Sequence, residues 1–388
     1  MARYNGGPDR RISLNFMQEN PGSLLVFPAT AEAGIDIPEM MLERGERLIL
    51  ASSVMSRLDL GASTLPVERL PMIHAENFEA EFKALIERNR VRRVYCPITS
   101  VFARLEALVD GGNVKVALIG QSPHRRVIET HRNLTARAKS LYGFASICAE
   151  PLGGRTQSEL NALLLLTRQI YGESNDDKMA GLFAAMACAV PGDVVEIGAL
   201  MGKSAVGLGF LANLNGIGPL LTIDPWLQDC AVQTDSPQMI QALAGAWDLN
   251  DVFDIFRVNL HLLPKGTANY LRSTSAKAGQ DYGPGFKVKS AEFGTTAYSG
   301  SISLLHVDGN HDYRAVLEDC RIWLPRMAER GWVILDDYFW AHGDGPRRVG
   351  DALLSACGAE VEHVFVSGKA LFIRLTGTRQ LKRWAESI

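Results

Sequence analysis

Residues 194–204 read Val-Val-Glu-Ile-Gly-Ala-Leu-Met-Gly-Lys-Ser. An apolar strand runs into a glycine turn and then into a helix. Such a turn lets a ligand approach the backbone, and the helix start offers unpaired N–H groups. Two familiar phosphate loops fail on spacing. A P-loop needs four residues between its first glycine and Gly-Lys-Ser, whereas Gly198 and Gly202 enclose three. A dinucleotide fingerprint needs a second glycine where Ala199-Leu200 stands. What remains is Glu196-x-Gly198-x-x-x-Gly202, with Ser204 inside the helix. A purely structural strand–turn–helix crossing would use the same glycines for tight packing.

Outward from this stretch, the next strand, Leu220–Ile223, ends on Asp224, 28 positions after Glu196. An acidic residue at that tip is placed to accept the ribose hydroxyls of a nucleoside. An aspartate in a turn before Pro225 is the plain alternative. Further on, Ile302–Val307 leads into Asp308-Gly309-Asn310-His311-Asp312-Tyr313, and Trp332–Leu335 leads into Asp336-Asp337-Tyr338. If these strands are neighbours, Asp308, Asp336 and Asp337 meet at one carboxyl edge of a sheet, where open α/β sheets bind ligands. Three clustered carboxylates repel one another unless something positive lies between them. A hard divalent cation held by oxygens, Mg²⁺ or Mn²⁺, answers that need. The competing reading makes each aspartate a helix cap. His311, three residues past Asp308, titrates near neutrality and suits a general base. His306 reads as a core residue with no assigned role. Tyr313, Tyr338 and Trp340 are candidates for an acceptor wall.

The rest of the chain alternates strands and helices, which predicts an α/β fold with helical crossovers. Strands are expected at Ser23–Phe27, Arg47–Ala51, Arg93–Cys96 and Val114–Ile119, and helices at Pro38–Arg44, Asn77–Arg88 and Val101–Val109. Residues 1–124 therefore form an N-terminal Rossmann-like unit. Its segment Phe27–Gly34 is either a ligand loop or a plain connection. Residues 125–190 read as a helical connector, with helices at His131–Tyr142, Ser158–Tyr171 and Asp176–Val190. Thr156-Gln157-Ser158-Glu159 marks a helix start without a strict capping box, and Pro151–Gly154 is the best linker. Residues 191–388 form a second domain. Its sheet is mostly parallel and ends in an antiparallel hairpin, Glu362–Val366 and Ala370–Leu375 around Ser367-Gly368-Lys369. The glycine-rich stretch Gly279–Gly300 reads as a loop or an insertion, with a lid over a site as a further option.

Composition bounds the function. With 388 residues, 47% apolar and 21% charged, the chain reads as two or three globular domains. Forty basic and 43 acidic side chains give a net charge of −3, without the basic footprint of a nucleic-acid binder. The run from Arg88 to Arg93 reads as a solvated helix end. The six cysteines form no CxxC pair, which argues against zinc-finger or redox motifs and fits a reducing compartment. No apolar run approaches a membrane span and the N-terminus lacks a signal-peptide core, so a soluble cytoplasmic protein is expected.

The segments VVEIGALMGKSA, LLTIDPW, LLHVDGNHDY and GWVILDDY, in that order, resemble a class I S-adenosylmethionine-dependent methyltransferase. More narrowly, the region from Gly192 to Leu375 is similar to the metal-dependent O-methyltransferases that act on sugars of macrolides and related natural products. The resemblance implies that Glu196, Gly198, Gly202 and Ser204 shape the methionine pocket of S-adenosylmethionine. It implies Asp224 at the ribose, Thr274 and Ser275 near the adenine, and Asp308 beside the cofactor. Asp308, Asp336 and Asp337 would hold Mg²⁺, or Mn²⁺, with His311 as base. The acceptor would be a hydroxylated small molecule, most of all a sugar or glycoside, and the enzyme a homo-oligomer. A hydroxylase-like tailoring enzyme and a non-catalytic nucleotide-binding scaffold are the alternatives. A nicotinamide dehydrogenase is disfavoured by the missing glycine. The N-terminal half and the Gly279–Gly300 stretch depart from a compact member of that family.

Overall fold

A computed structural model describes residues 22–29, 43, 45–54, 66–149 and 152–388. The chain divides into two compact units, residues 1–132 and 133–388. The division falls inside the helical stretch expected at 125–190.

In the first unit, five parallel strands lie in the order β3-β2-β1-β4-β5. They are β1 (Ser23–Val26), β2 (Arg47–Ser52), β3 (Val67–Arg69), β4 (Val91–Tyr95) and β5 (Ala117–Leu118). Helices α1 (Phe78–Asn89) and α2 (Thr99–Asp110) are its crossovers. Helix α1 buries Phe78, Phe82, Leu85 and Ile86, the apolar spacing seen in the sequence. Strand β5 keeps only two residues of the expected Val114–Ile119, and β3 went unpredicted because Val-Glu-Arg carries no apolar run. The helix expected at Pro38–Arg44 and the tail of Phe27–Gly34 lie outside the described residues.

Helix α3 (Pro123–Cys148) leads towards the second unit, where α4 (Gln157–Thr167) and α5 (Asp176–Ala187) follow. A complete capping box starts α4, correcting the expectation of none. The Thr156 side chain accepts from Glu159 N–H at 3.3 Å, and the Glu159 carboxylate accepts from Thr156 N–H at 2.6 Å. Leu152, in the expected linker, is buried among the helices of this unit, so that end of the linker is core.

The second sheet has seven strands in the order β8-β7-β6-β11-β12-β14-β13. They are β6 (Asp193–Ile197), β7 (Leu220–Asp224), β8 (Ala268–Arg272), β11 (Ile302–Val307), β12 (Met327–Leu335), β13 (Val361–Ser367) and β14 (Ala370–Leu375). All pairings are parallel except those of β14, which runs antiparallel to both β12 and β13. The expected mostly parallel sheet with an antiparallel hairpin is what forms. Alternate residues face opposite layers. Val194, Leu304, Trp332 and Phe372 pack under α3 to α5 and under α6 (Lys203–Asn215). Val195, Leu305, Val333 and Ile373 pack under α11 (Tyr313–Trp323) and α12 (Gly345–Cys357). Both faces are covered, which explains why these strands read as continuous apolar runs.

The Gly279–Gly300 stretch is not a lid. It finishes α10 (Ser275–Asp281) and then forms an antiparallel hairpin, β9 (Lys287–Ser290) and β10 (Gly294–Ala297). This hairpin region is tied to the amino ends of the strands. Tyr282 donates to the Asp193 carboxylate at 2.6 Å, Tyr298 to the Leu220 carbonyl at 2.8 Å, and Asn269 to the Val288 carbonyl at 3.2 Å. Those anchors sit at the edge opposite to the carboxyl tips.

Candidate functional site

Register brings the motifs together. Ile197 pairs with both Ile223 and Val307, and Val307 pairs with Leu335. Gly198, Asp224, Asp308 and Asp336 are each the next residue, so four strand tips put them on one level. Strand order reverses between β6 and β11, the switch point where open sheets carry their crevices. A cavity of about 440 Å³ opens there. Its lining includes Gly198, Asp224, Trp226, Thr274, Ser275 and Asp308.

Gly198 has φ +83°, and a Cβ there would lie 2.1 Å from the Asp308 carbonyl oxygen. Its bare Cα lets the loop after β11 pass against the glycine turn. Gly202, with φ +87°, starts α6 against the Phe256 ring. Asp224 clamps the turn: one oxygen accepts from Ala199 N–H at 2.8 Å and Leu200 N–H at 3.3 Å, the other from Trp226 N–H at 2.7 Å. Burial pushes its pKa up against those three donors. Thr274 caps α10, accepting from Lys277 N–H at 3.4 Å. The Ser275 hydroxyl accepts from Trp323 Nε1 at 2.8 Å. Asp319, which the sequence reading passed over, also lines the cavity, and burial pushes its pKa up to about 7.

Glu196 and Ser204 are buried and are not among the residues lining this cavity. Glu196 faces His306 instead, whose Nδ1 lies 3.1 Å from its carboxylate. His306 is fully buried, and its Nε2 is 3.6 Å from Asp308 Oδ2. Burial holds the His306 pKa below the usual value.

The three aspartates arrive with cations already beside them. Lys178, in the first turn of α5, places its ammonium 2.6 Å from Asp336 Oδ2 and 2.9 Å from Asp308 Oδ2. Lys369, in the β13–β14 turn, lies 2.5 Å from Asp337 Oδ1. Burial alone would lower the Lys178 pKa, but Asp308 and Asp336 outweigh it and hold the ammonium above the ordinary lysine range. Burial, then the charge of Asp336, raises the Asp308 pKa. Asp336 is held low, because Lys178 overrides the effect of burial. Sequence reasoning missed both lysines; the hairpin signal at Ser367-Gly368-Lys369 was the one clue to the second.

His311 Nε2 lies 3.1 Å from Asp337 Oδ2 and 4.0 Å from Asp308 Oδ1. Burial pushes its pKa below the ordinary histidine value despite Asp337. Among the described residues, potential metal ligands fall into two groups that share Asp308: His306, Asp308 and Asp336, and Asp308, His311 and Asp337. Of the expected acceptor wall, Trp340 stands edge-on to His311 at 5.0 Å. Tyr338 turns away to donate to Asp351 at 2.6 Å, and Tyr313 carries the Arg348 guanidinium on its ring at 4.0 Å.

Residues 195–338 match the methyltransferase domain family. The chain contains a methyltransferase domain. That domain holds the glycine turn, Asp224, Asp308, His311 and both aspartates after β12, and the resemblance read from the sequence is borne out there. No curated protein gives a match. Several solved structures are similar in fold. The O-methyltransferase NovP is 16% identical over 57% of this chain and 81% of that one, with a TM-score of 0.35. The calicheamicin methyltransferase CalS11 is 13% identical over 66% and 94%, with a TM-score of 0.30. An O-methyltransferase from Bacillus cereus in complex with SAH is 12% identical over 61% and 97%, with a TM-score of 0.31. All six cysteines are free thiols. Among the described residues no helix is long and apolar enough to cross a membrane.

Proposed function

We propose that the methyltransferase domain moves a methyl group from S-adenosylmethionine to a hydroxyl of a small molecule, a sugar or glycoside being the best-suited acceptor. One observation carries this reading. Asp308 both lines the cavity and faces the cluster of His311, Asp336 and Asp337, so a donor in the cavity and an acceptor at the cluster would meet at one residue. Backbone strain concentrates there as well. Leu200 (φ +48°), Trp226 (φ +43°) and Asp337 (φ +51°) adopt a conformation that side chains other than glycine rarely take.

The residues suit the donor. The clamped glycine turn offers its backbone to the methionine part. An ionised carboxylate accepts about four hydrogen bonds, so Asp224 keeps capacity for a ribose hydroxyl beyond its three N–H donors. Thr274, Ser275 and Asp319 also line the cavity, and the adenine would lie against them.

The residues also suit a hard divalent cation. Asp336 Oδ1 is buried without a hydrogen-bond partner, and the candidate ligands Asp308, Asp336 and Asp337 are all carboxylates. When bound, Mg²⁺ or Mn²⁺ would lower the pKa of an acceptor hydroxyl, and S-adenosylmethionine would supply the electrophilic methyl. His311 is the base in this reading. In the neutral ring near pH 7, Nε2 carries the proton that Asp337 accepts, so Nδ1, which has no hydrogen-bond partner, is the nitrogen that takes the hydroxyl proton as the oxygen forms its bond to the methyl carbon and the carbon–sulfur bond breaks. Asp337 orients the ring and stabilises the imidazolium that results. Trp340 offers a flat apolar wall beside the base, a surface suited to the C–H face of a sugar ring.

Calorimetric titration with S-adenosylmethionine and, separately, NADH tests the donor. Micromolar binding of the first and none of the second is expected. Turnover with a panel of sugar nucleotides and glycosides, assayed by mass spectrometry for a methyl gain, tests the reaction. Full activity in chelator, or in Asp336→Asn, would remove the metal from this reading.

A further inference from the structure

The gap between Asp308 and Asp336 already contains a positive charge. The Lys178 side chain is 2% exposed, so water scarcely competes for its ammonium. It bonds the Oδ2 atom of both carboxylates, and α5 fixes its backbone through the Asn175 cap at 2.9 Å. Asp337 is compensated independently by Lys369. The charge argument for a metal therefore changes: the three carboxylates are partly neutralised by lysines supplied from outside the two motifs.

We propose that Lys178 is a built-in competitor for the divalent cation, keeping the affinity of the Asp308–Asp336 pair for such an ion low. The inference rests on the metal part of the function proposed above. Two effects of the lysine oppose each other. By pinning the Oδ2 atoms it leaves Asp336 Oδ1 unpartnered and so pre-orients that carboxylate. Supporting residues of that kind are worth about 10- to 100-fold in metal affinity. Against this stands repulsion between a fixed ammonium and a doubly charged ion sharing the same carboxylates. That repulsion grows as the effective dielectric falls, and salt screens buried charges poorly. The burial of Lys178 makes repulsion the larger effect. A metal at this site is accordingly weakly held and exchangeable.

The test is Mn²⁺ titration of the full chain, with free Mn²⁺ read by electron paramagnetic resonance. The wild type is compared with Lys178→Met and with Lys178→Gln, which removes the charge but keeps a hydrogen-bonding head. Both variants are expected to bind Mn²⁺ at least 10-fold more tightly, and adding Asp336→Asn should cancel the gain. Equal or weaker binding in the two variants overturns the proposal, as does no Mn²⁺ binding in any protein. If a variant loses its folded circular dichroism signal in chelator, recovery on adding Mn²⁺ supports the competition. Failure of both variants to recover refutes it. S-adenosylmethionine calorimetry on the same proteins reports separately. Its loss in the wild type defeats the transferase reading, whatever the lysine variants do with Mn²⁺.

Discussion

Replacing Gly198 with alanine isolates the contact that joins the two motifs. The new Cβ would start 2.1 Å from the Asp308 carbonyl oxygen, in a backbone conformation of φ +83°. The left-handed conformation costs roughly 1–2 kcal/mol for a residue with a Cβ. Relieving the overlap requires the loop after β11 to shift by about 1 Å, at about 1–3 kcal/mol on the scale of overpacked sites. The total is about 2–5 kcal/mol. Gly216 is the control: φ is +64°, but nothing lies within 4 Å of its hypothetical Cβ, so Gly216→Ala carries only the conformational cost. Urea unfolding should place Gly198→Ala below Gly216→Ala in stability by about 1–3 kcal/mol. Calorimetry should show S-adenosylmethionine affinity reduced in the first and unchanged in the second, because Asp308 moves with the loop. Equal stability and equal affinity in the two variants would refute the close approach of turn and loop, and with it the geometry on which the site depends.

Replacing His311 with alanine should lower kcat by about 100- to 10,000-fold while S-adenosylmethionine binding persists, read by single-turnover kinetics and calorimetry. Because burial depresses the His311 pKa from 6.5, activity of the wild type should hold through neutrality and fall only below pH 6.5. Asp319 has its pKa raised from 3.8 to about 7 in the fold, so the native state binds the extra proton between those values and stability falls as pH rises across them. The loss is on the order of 4 kcal/mol. Asp319→Asn should remove this dependence, so its melting temperature relative to wild type should rise from pH 5 to pH 8; a constant gap would contradict the shift. Tyr282→Phe removes the bond to Asp193 at the opposite edge. It should cost about 1–3 kcal/mol in urea unfolding with S-adenosylmethionine affinity unchanged. A changed affinity would mean that the Gly279–Gly300 region reaches the site.

The sheet and its carboxyl edge were legible because chemistry and topology share a period. Each apolar run is buried on both faces, and the first polar residue after it, Asp224, Asp308 or Asp336, marks where the strand leaves the sheet. Order along the chain then sufficed to group them. Lys178 was not legible. A lysine in the sequence Asp-Asp-Lys at a helix start reads as solvated, and only packing of α5 on β13 and β14 turns it inward. The roles of Glu196 and His306 depend on adjacent strands: directly paired across β6 and β11, Glu196 engages His306 Nδ1, while His306 Nε2 keeps no hydrogen-bond partner. The glycines of residues 279–300 suggested mobility, yet several are there for turns and close contacts, Gly300 lying against the Gly283 backbone. Tyrosine hydroxyls that hold such a segment to strand starts leave no periodic trace.

The placement of β14 bears on biosynthesis. The strand made last in this sheet is an interior one, inserted between β12 and β13. Until residues 370–375 have emerged from the ribosome, β12 presents an open row of unpaired backbone groups, a template for other nascent chains. Lys369, in the turn just before that strand, leaves the ribosome only shortly earlier, so until then Asp337 waits beside His311 without its counter-charge. A ribosome stalled before this point would carry a chain with every sequence motif of the active edge already synthesised, yet with an open sheet.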